Sequence, residues 1–142
     1  MTKTVGYLVG VAVVVRNAAG QVLLGLRAKD QLWASFGGTL ESAETVSEGG
    51  ARELFEETGL RLSMFQRITF GEGVKRDGTR YVTLYLLTDC PSDQVPVNKE
   101  PLVTTELRWF DPTALPANMW ERERVVIRGL PSTSSPIIQE AT

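Results

Sequence analysis

Thr45-Val-Ser-Glu48 and Gly59 bracket a helix in the middle of a chain whose other apolar segments suit strands. Thr-x-x-Glu has the form of a capping box, and a glycine at C′ takes the left-handed conformation that ends a helix. Ahead of the helix, the β-branched stretch 9–15 and residues 22–27 flank Asn17-Ala-Ala-Gly20, whose Asn and Gly tolerate a tight turn, so this region is expected to be a β-hairpin. Residues 36–38 read as a glycine-rich loop. Behind the helix, residues 68–70 and 81–87 predict two strands joined through Lys75-Arg-Asp-Gly-Thr79, with Asp77-Gly78 as turn signal. Residues 91–101 hold three of the seven prolines and predict a surface loop. Residues 107–110 predict a short strand, and Asn118 is positioned to cap a second helix over 119–128.

The order β, β, α, β, β, β, α has no regular βαβ alternation, so the expected class is α/β (α+β) with a mixed β-sheet between helices. A length of 142 residues with 42% hydrophobic composition fits one domain, assigned to 1–130. The Ser- and Pro-rich tail 131–142 is expected to be disordered.

The chain has no histidine and one cysteine, Cys90. That removes histidine bases and ligands, intramolecular disulfides and multi-thiolate metal sites, leaving chemistry mainly to carboxylates and basic residues. A formal net charge of -2 lacks the basic excess of a dedicated nucleic-acid binder, so nucleic acid is not an expected partner. The longest apolar stretch, residues 7–15, is far short of the roughly 20 needed for a bilayer-spanning helix. Lys3 ahead of it faintly imitates a signal peptide, but a β-branched run closed by Arg16 and a turn reads more simply as a strand. A cytoplasmic location and no membrane partner are expected.

On the central helix, Glu53 and Glu57 lie within about 40° of each other and Glu56 about 60° further round. Ser47, Ala51, Leu54, Phe55 and Thr58 cluster on another side, facing the core. Gly49 and Gly50 fall beside the glutamates at a cost of about 1 kcal/mol each relative to Ala, which implies close approach to the helix backbone. Carboxylates about 5 Å apart repel by roughly 3 kcal/mol at an effective dielectric near 20. They call either for a hard cation, Mg²⁺ or Mn²⁺, or for ion pairs with Arg52 and nearby lysines on a solvated face.

The stretch GTLESAETVSEGGARELFEETGL, from Gly38 to Leu60, fits GX5EX7REUXEEXGU at each specified position, where U is aliphatic: Gly38, Glu44, Arg52, Glu53, Leu54, Glu56, Glu57, Gly59 and Leu60. The chain therefore resembles the Nudix family over about 5–130. The resemblance implies a mixed-sheet α/β/α sandwich, a Mg²⁺ cofactor replaceable by Mn²⁺, and hydrolysis of a nucleoside diphosphate linked to a further group. It also implies that Glu53, Glu56 and Glu57 ligate the metal, that Arg52 organises them with support from Glu44, and that Gly37 and Gly38 offer backbone oxygen to the metal.

Trp33-Ala-Ser-Phe-Gly-Gly38 is similar to the Trp-x-x-Phe-Gly-Gly of the family's oxidised-purine nucleoside triphosphate hydrolases, with Ala34 where those carry Asn. That similarity implies Phe36 at the substrate. Asn98-Lys-Glu-Pro101 and Tyr81-Val-Thr83 resemble family members that clear oxidised and thiopurine nucleotides, which implies Tyr81 at the substrate. They also imply Glu100 as an extra metal ligand or general base, with Glu106 as second choice. Met119-Trp120 resembles a pair in which the indole stacks on the base, while Arg122 and Glu123 stand in place of two aspartates. Arg27 stands where the family often places a phosphate-binding cation.

The expected activity is Mg²⁺-dependent hydrolysis of a canonical or modified nucleoside triphosphate to monophosphate and pyrophosphate, by a monomer or homodimer of the MutT type. Two alternatives stay open: hydrolysis of a conjugate such as ADP-ribose or a nucleotide sugar, and a non-catalytic nucleotide sensor.

Overall fold

The computed structural model describes residues 6–131. Its elements are β1 (Leu8–Arg16), β2 (Val22–Arg27), β3 (Trp33–Ala34), β4 (Phe36–Thr39), α1 (Val46–Thr58), β5 (Gln66–Val74), β6 (Arg80–Asp89), β7 (Thr104–Phe110) and α2 (Glu121–Arg128). The fold is the expected mixed sheet between helices. β1 runs parallel to β6 along its length, and its remaining pairings are antiparallel. The tail residues 132–142 lie outside the described residues.

Strict alternation along β1 builds a core on each face. Val11, Val13 and Val15 pack with Leu23, Phe36, Leu54 and Leu86 under α1. Val14 packs with Val22, Leu24, Trp33, Leu87 and Ile127 under α2. Burial of such residues at roughly 1.5–3 kcal/mol each is what fixes the register, because a one-residue slip would turn the whole set outward.

The hairpin of β1 and β2 is narrower than the sequence suggested. Asn17 and Gly20 close the turn, with Gly20 at φ 80°, but only Val15↔Leu23 and Arg16↔Val22 pair. Beyond them the strands splay, and residues 33–39 fill the gap: β3 pairs β2 while β4 pairs β1 over residues 10–13. The stretch expected to be a loop at 36–38 is therefore strand β4. Glycine permits this, because a Cβ on Gly37 would land on the Val11 carbonyl.

The other strands extend past their expected ends, with β5 and β6 forming a long hairpin around the Asp77-Gly78 turn, where Gly78 has φ 88°. The second helix starts two residues later than expected and its N-cap is Trp120, not Asn118. Asn118 is engaged elsewhere: its side chain donates to the Gln31 carbonyl at 2.8 Å and its own carbonyl accepts from Trp33 N at 2.9 Å. That holds Met119, 7% exposed, in the core beneath α2.

The glycines of α1 do admit a close neighbour, and it is the protein itself. A Cβ on Gly50 would stand 2.9 Å from Leu86 Cδ1, and one on Gly49 would collide with Leu40. They let α1 settle onto the sheet and bring its glutamates down to the strand ends.

Candidate active site

α1 is held at both ends. Thr45 accepts from Glu48 N while the Glu48 side chain accepts from Thr45 N, completing the capping box. At the other end Gly59, with φ 73°, donates to Phe55 O at 2.9 Å. The last carbonyls of a helix lack internal partners. Here a crossing loop supplies them, as Val97 N donates to Thr58 O at 2.8 Å and Lys99 N to Glu57 O at 3.2 Å. Glu100 follows directly, its N–H fixed by Asn98 Oδ1 at 3.1 Å. The loop thus brings Glu100 beside the glutamates of α1, close enough for its charge to be felt by both Glu53 and Glu57.

Arg52 lies at the centre of the acidic cluster. It grips Glu44 through two bonds of 2.6 and 3.0 Å, and its Nη1 reaches Glu56 at 2.8 Å and Glu53 at 3.0 Å. Glu44 is held below the usual carboxylate range mainly by that contact. Glu53, by contrast, is pushed up, chiefly by burial. Its carboxylate lies directly over Gly38, where any Cβ would collide with it.

Among these carboxylates Glu57 is shifted the furthest. Burial, then the charges of Glu53 and Glu100, push it up to about 8, against a stabilising hydrogen bond from the Gly37 backbone. Its Oε2 is buried with no hydrogen-bond partner. A buried, unpaired carboxylate among like charges is costly, and an added cation removes that cost. Among the described residues no set of three acidic side chains is already arranged around one point for a metal. Arg52 still draws Glu53 and Glu56 toward itself. The donor chemistry fits a hard divalent ion: all the available donors are oxygens, one is orphaned, and the cluster is net negative.

Beside Glu57 and Gly37 a cavity of about 540 Å³ opens, lined by residues of β1, β2, β3, β4 and β6. Arg27, Phe36, Tyr81 and Trp120, all expected at the substrate, line it. Phe36 is only 2% exposed and mostly serves the core, whereas Trp120 is 50% exposed. The Arg27 guanidinium lies over the Trp120 ring at 4.7 Å while pairing with Asp30 at 3.1 Å. Glu106, the second choice for a base, is engaged by Arg108 at 2.6 Å on β7. Trp109 packs against the core under α1.

The sequence reading missed the pair Ser35–Glu123 in the cavity wall. Glu123 is 5% exposed, accepts from both the backbone and hydroxyl of Ser35, and keeps Oε2 buried without a partner. Burial raises its pKa. A signal was available, since Glu123 shares the i, i+3, i+4 face of α2 with Val126 and Ile127, both buried.

The NUDIX domain family description matches residues 6–130. A MutT-like protein of Streptomyces ambofaciens is 34% identical over 113 residues, covering 80% of this chain and 70% of its own. An RNA pyrophosphohydrolase of Baumannia cicadellinicola is 43% identical over 61 residues, 43% of this chain, which spans only 38% of that relative's length. The crystal structure of a MutT NUDIX hydrolase from Burkholderia pseudomallei superimposes with a TM-score of 0.78 at 22% identity, over 89% of this chain and 99% of the other, and so shares the fold.

Proposed function

The chain belongs to the Nudix family, in its MutT-type branch, and from that premise we propose that it hydrolyses a nucleoside triphosphate to the monophosphate and pyrophosphate. The observation that carries this reading is the single cavity that joins an aromatic and cationic wall, Trp120 and Arg27, to the carboxylate end at Glu57 and Gly37. A base can stack on the indole while phosphates extend toward the acids.

In this reading Glu53, Glu56 and Glu57 hold Mg²⁺ or Mn²⁺, with Glu100 adjacent. The ion supplies neutralisation of phosphate charge and a more acidic water. Arg52 keeps the carboxylates apart and oriented, and Glu44 keeps Arg52 in place. Arg27 leaves Asp30 to bind phosphate. Water oxygen attacks phosphorus, the bridging P–O bond breaks, pyrophosphate leaves, and the water's proton passes to a carboxylate. Glu100 is the candidate acceptor, because its loop sets it beside the cluster without a contact to Arg52. Glu123 Oε2 offers an acceptor to a donor group on the base.

The test is a substrate panel with Mg²⁺: canonical and oxidised nucleoside triphosphates, ADP-ribose, a nucleotide sugar and a 5′-triphosphorylated RNA. Release of pyrophosphate from a mononucleotide with the highest kcat/KM is the expected result. Faster turnover of the conjugates or the RNA would replace the substrate class, and nucleotide binding without any turnover would favour a sensor.

Trp120→Ala is expected to raise KM by roughly ten- to a hundredfold with kcat little changed, since stacking is worth about 1–3 kcal/mol. Trp109→Ala, removing a ring packed against the core, is expected to lower stability by about 3 kcal/mol and leave the KM of the folded protein unaltered. Steady-state kinetics and urea unfolding separate the two. Unchanged kcat/KM in Trp120→Ala, with binding abolished in folded Trp109→Ala, would put the base elsewhere.

A further inference from the structure

The groove continues past the carboxylates. A second compartment of about 190 Å³ is lined by Gly10, Gly38, Thr39 and Lys75, and it shares Val11, Tyr81 and Thr83 with the first. Gly37 and Gly38, adjacent in the chain, each face one of the two. Glycines shape this end. The Tyr81 ring lies across its β5 partner Gly73, where a Cβ would stand 2.7 Å from Tyr81 Cζ. A Cβ on Gly10 would stand 3.4 Å from the Gly38 carbonyl and 3.7 Å from Thr83 Oγ1, so the floor there is bare backbone.

Lys75 enters from the β5–β6 turn, pinned by Lys75 N to Thr79 O and Gly78 N to Lys75 O, each 2.9 Å. Its ammonium is near enough to Asp77 for the two charges to interact, and among the described residues no hydrogen bond or salt bridge holds its side chain. Asp77, two residues on, has Oδ1 accepting from Thr79 N at 2.9 Å. Arg76 and Arg80 add positive charge to the same hairpin without lining the compartment. The volume is below the roughly 300 Å³ at which pockets begin to hold drug-sized organic ligands, so a nucleoside does not suit it. An ammonium over backbone and hydroxyls, its charge partly offset by Asp77 in the same turn, suits phosphate, which lysine binds as a point charge.

We propose that this compartment is a distal phosphate subsite, in which Lys75 holds the end of a phosphate chain that has run past the carboxylates. The consequence is selectivity for chain length: substrates and products with more phosphates beyond the cleaved bond bind better. The inference rests on the polyphosphate reading above and adds a site to it.

Calorimetric titration of the full chain with inorganic pyrophosphate and inorganic tripolyphosphate, in Mg²⁺, tests the subsite without turnover. Tripolyphosphate is expected to bind about tenfold more tightly than pyrophosphate, and Lys75→Ala to reduce that ratio to about twofold, the scale of one charge-assisted contact. Lys75→Arg should keep the ratio. Arg76→Ala makes the same charge change outside the compartment and should also keep it. Equal loss for both anions in Lys75→Ala, or an Arg76→Ala effect as large, would overturn the subsite and leave a general surface field. A ratio near one in the unaltered protein would overturn it too. Failure of the polyphosphate reading looks different, because then the nucleotide panel shows no hydrolysis whatever the anions do.

Discussion

Glu57→Gln is expected to lower kcat/KM by at least about a hundredfold while the protein stays folded, because the change removes charge from the proposed metal site but little volume. Glu53→Gln and Glu56→Gln should do the same. Glu57 is the most informative of the three, as its unpartnered Oε2 and its bond from the Gly37 backbone place it between the cluster and the cavity. Glu106→Gln serves as the contrast, since its carboxylate is engaged by Arg108 on β7. Circular dichroism establishes the fold and Mg²⁺ titration the metal affinity. Near-normal turnover in all three α1 variants would remove the active site from this helix.

Activity is expected to vanish in EDTA, return with Mg²⁺ or Mn²⁺, and rise toward alkaline pH. The physical cause is the same carboxylate. With Glu57 pushed up to about 8 in the metal-free protein, a divalent ion must displace its proton at neutral pH. Metal affinity should therefore climb by up to about tenfold per pH unit below that value.

Folding stability of the metal-free protein carries the opposite sign. The native state binds the Glu57 proton more tightly than the unfolded chain does, so stability is full below the ordinary value of 4.5 and is lost as pH rises toward about 8. Burial raises Glu53 and Glu123 in the same direction. The lowered carboxylates, Glu44, Asp77 and Asp111, act only at more acid pH. Between pH 5.5 and 8.5 the metal-free protein should lose on the order of 3 kcal/mol, and saturating Mg²⁺ should abolish the loss. Thermal unfolding of the protein and of Glu57→Gln, with and without Mg²⁺, reads this directly. A metal-free Tm that is flat or rising across that window would refute the assignment of a buried, protonated Glu57.

Local signals in the chain determined the central helix completely. The capping box at Thr45, the left-handed Gly59 and the three-glutamate face are properties of residues three or four apart, and α1 has those bounds. The spacing from Gly38 to Leu60 was legible for the same reason. Tertiary structure decided whatever depended on partners distant in sequence. Residues 36–38 became a strand because β1 and β2 splay and leave backbone groups for β4 to satisfy, a vacancy no local pattern announces. Asn118 lost its capping role because Gln31 and Trp33 lie across from it. The helix glycines admit Leu86 and Leu40 from the protein's own core. Glu100 reaches the cluster because a proline-flanked loop supplies hydrogen bonds to the end of α1. Glu123, a charge on an apolar helix face, is buried because Ser35, 88 residues away, donates to it. Helix caps and periodicities act over a few residues of chain, whereas the burial, charge coupling and cavity shape of this site depend on residues that only the sheet brings together.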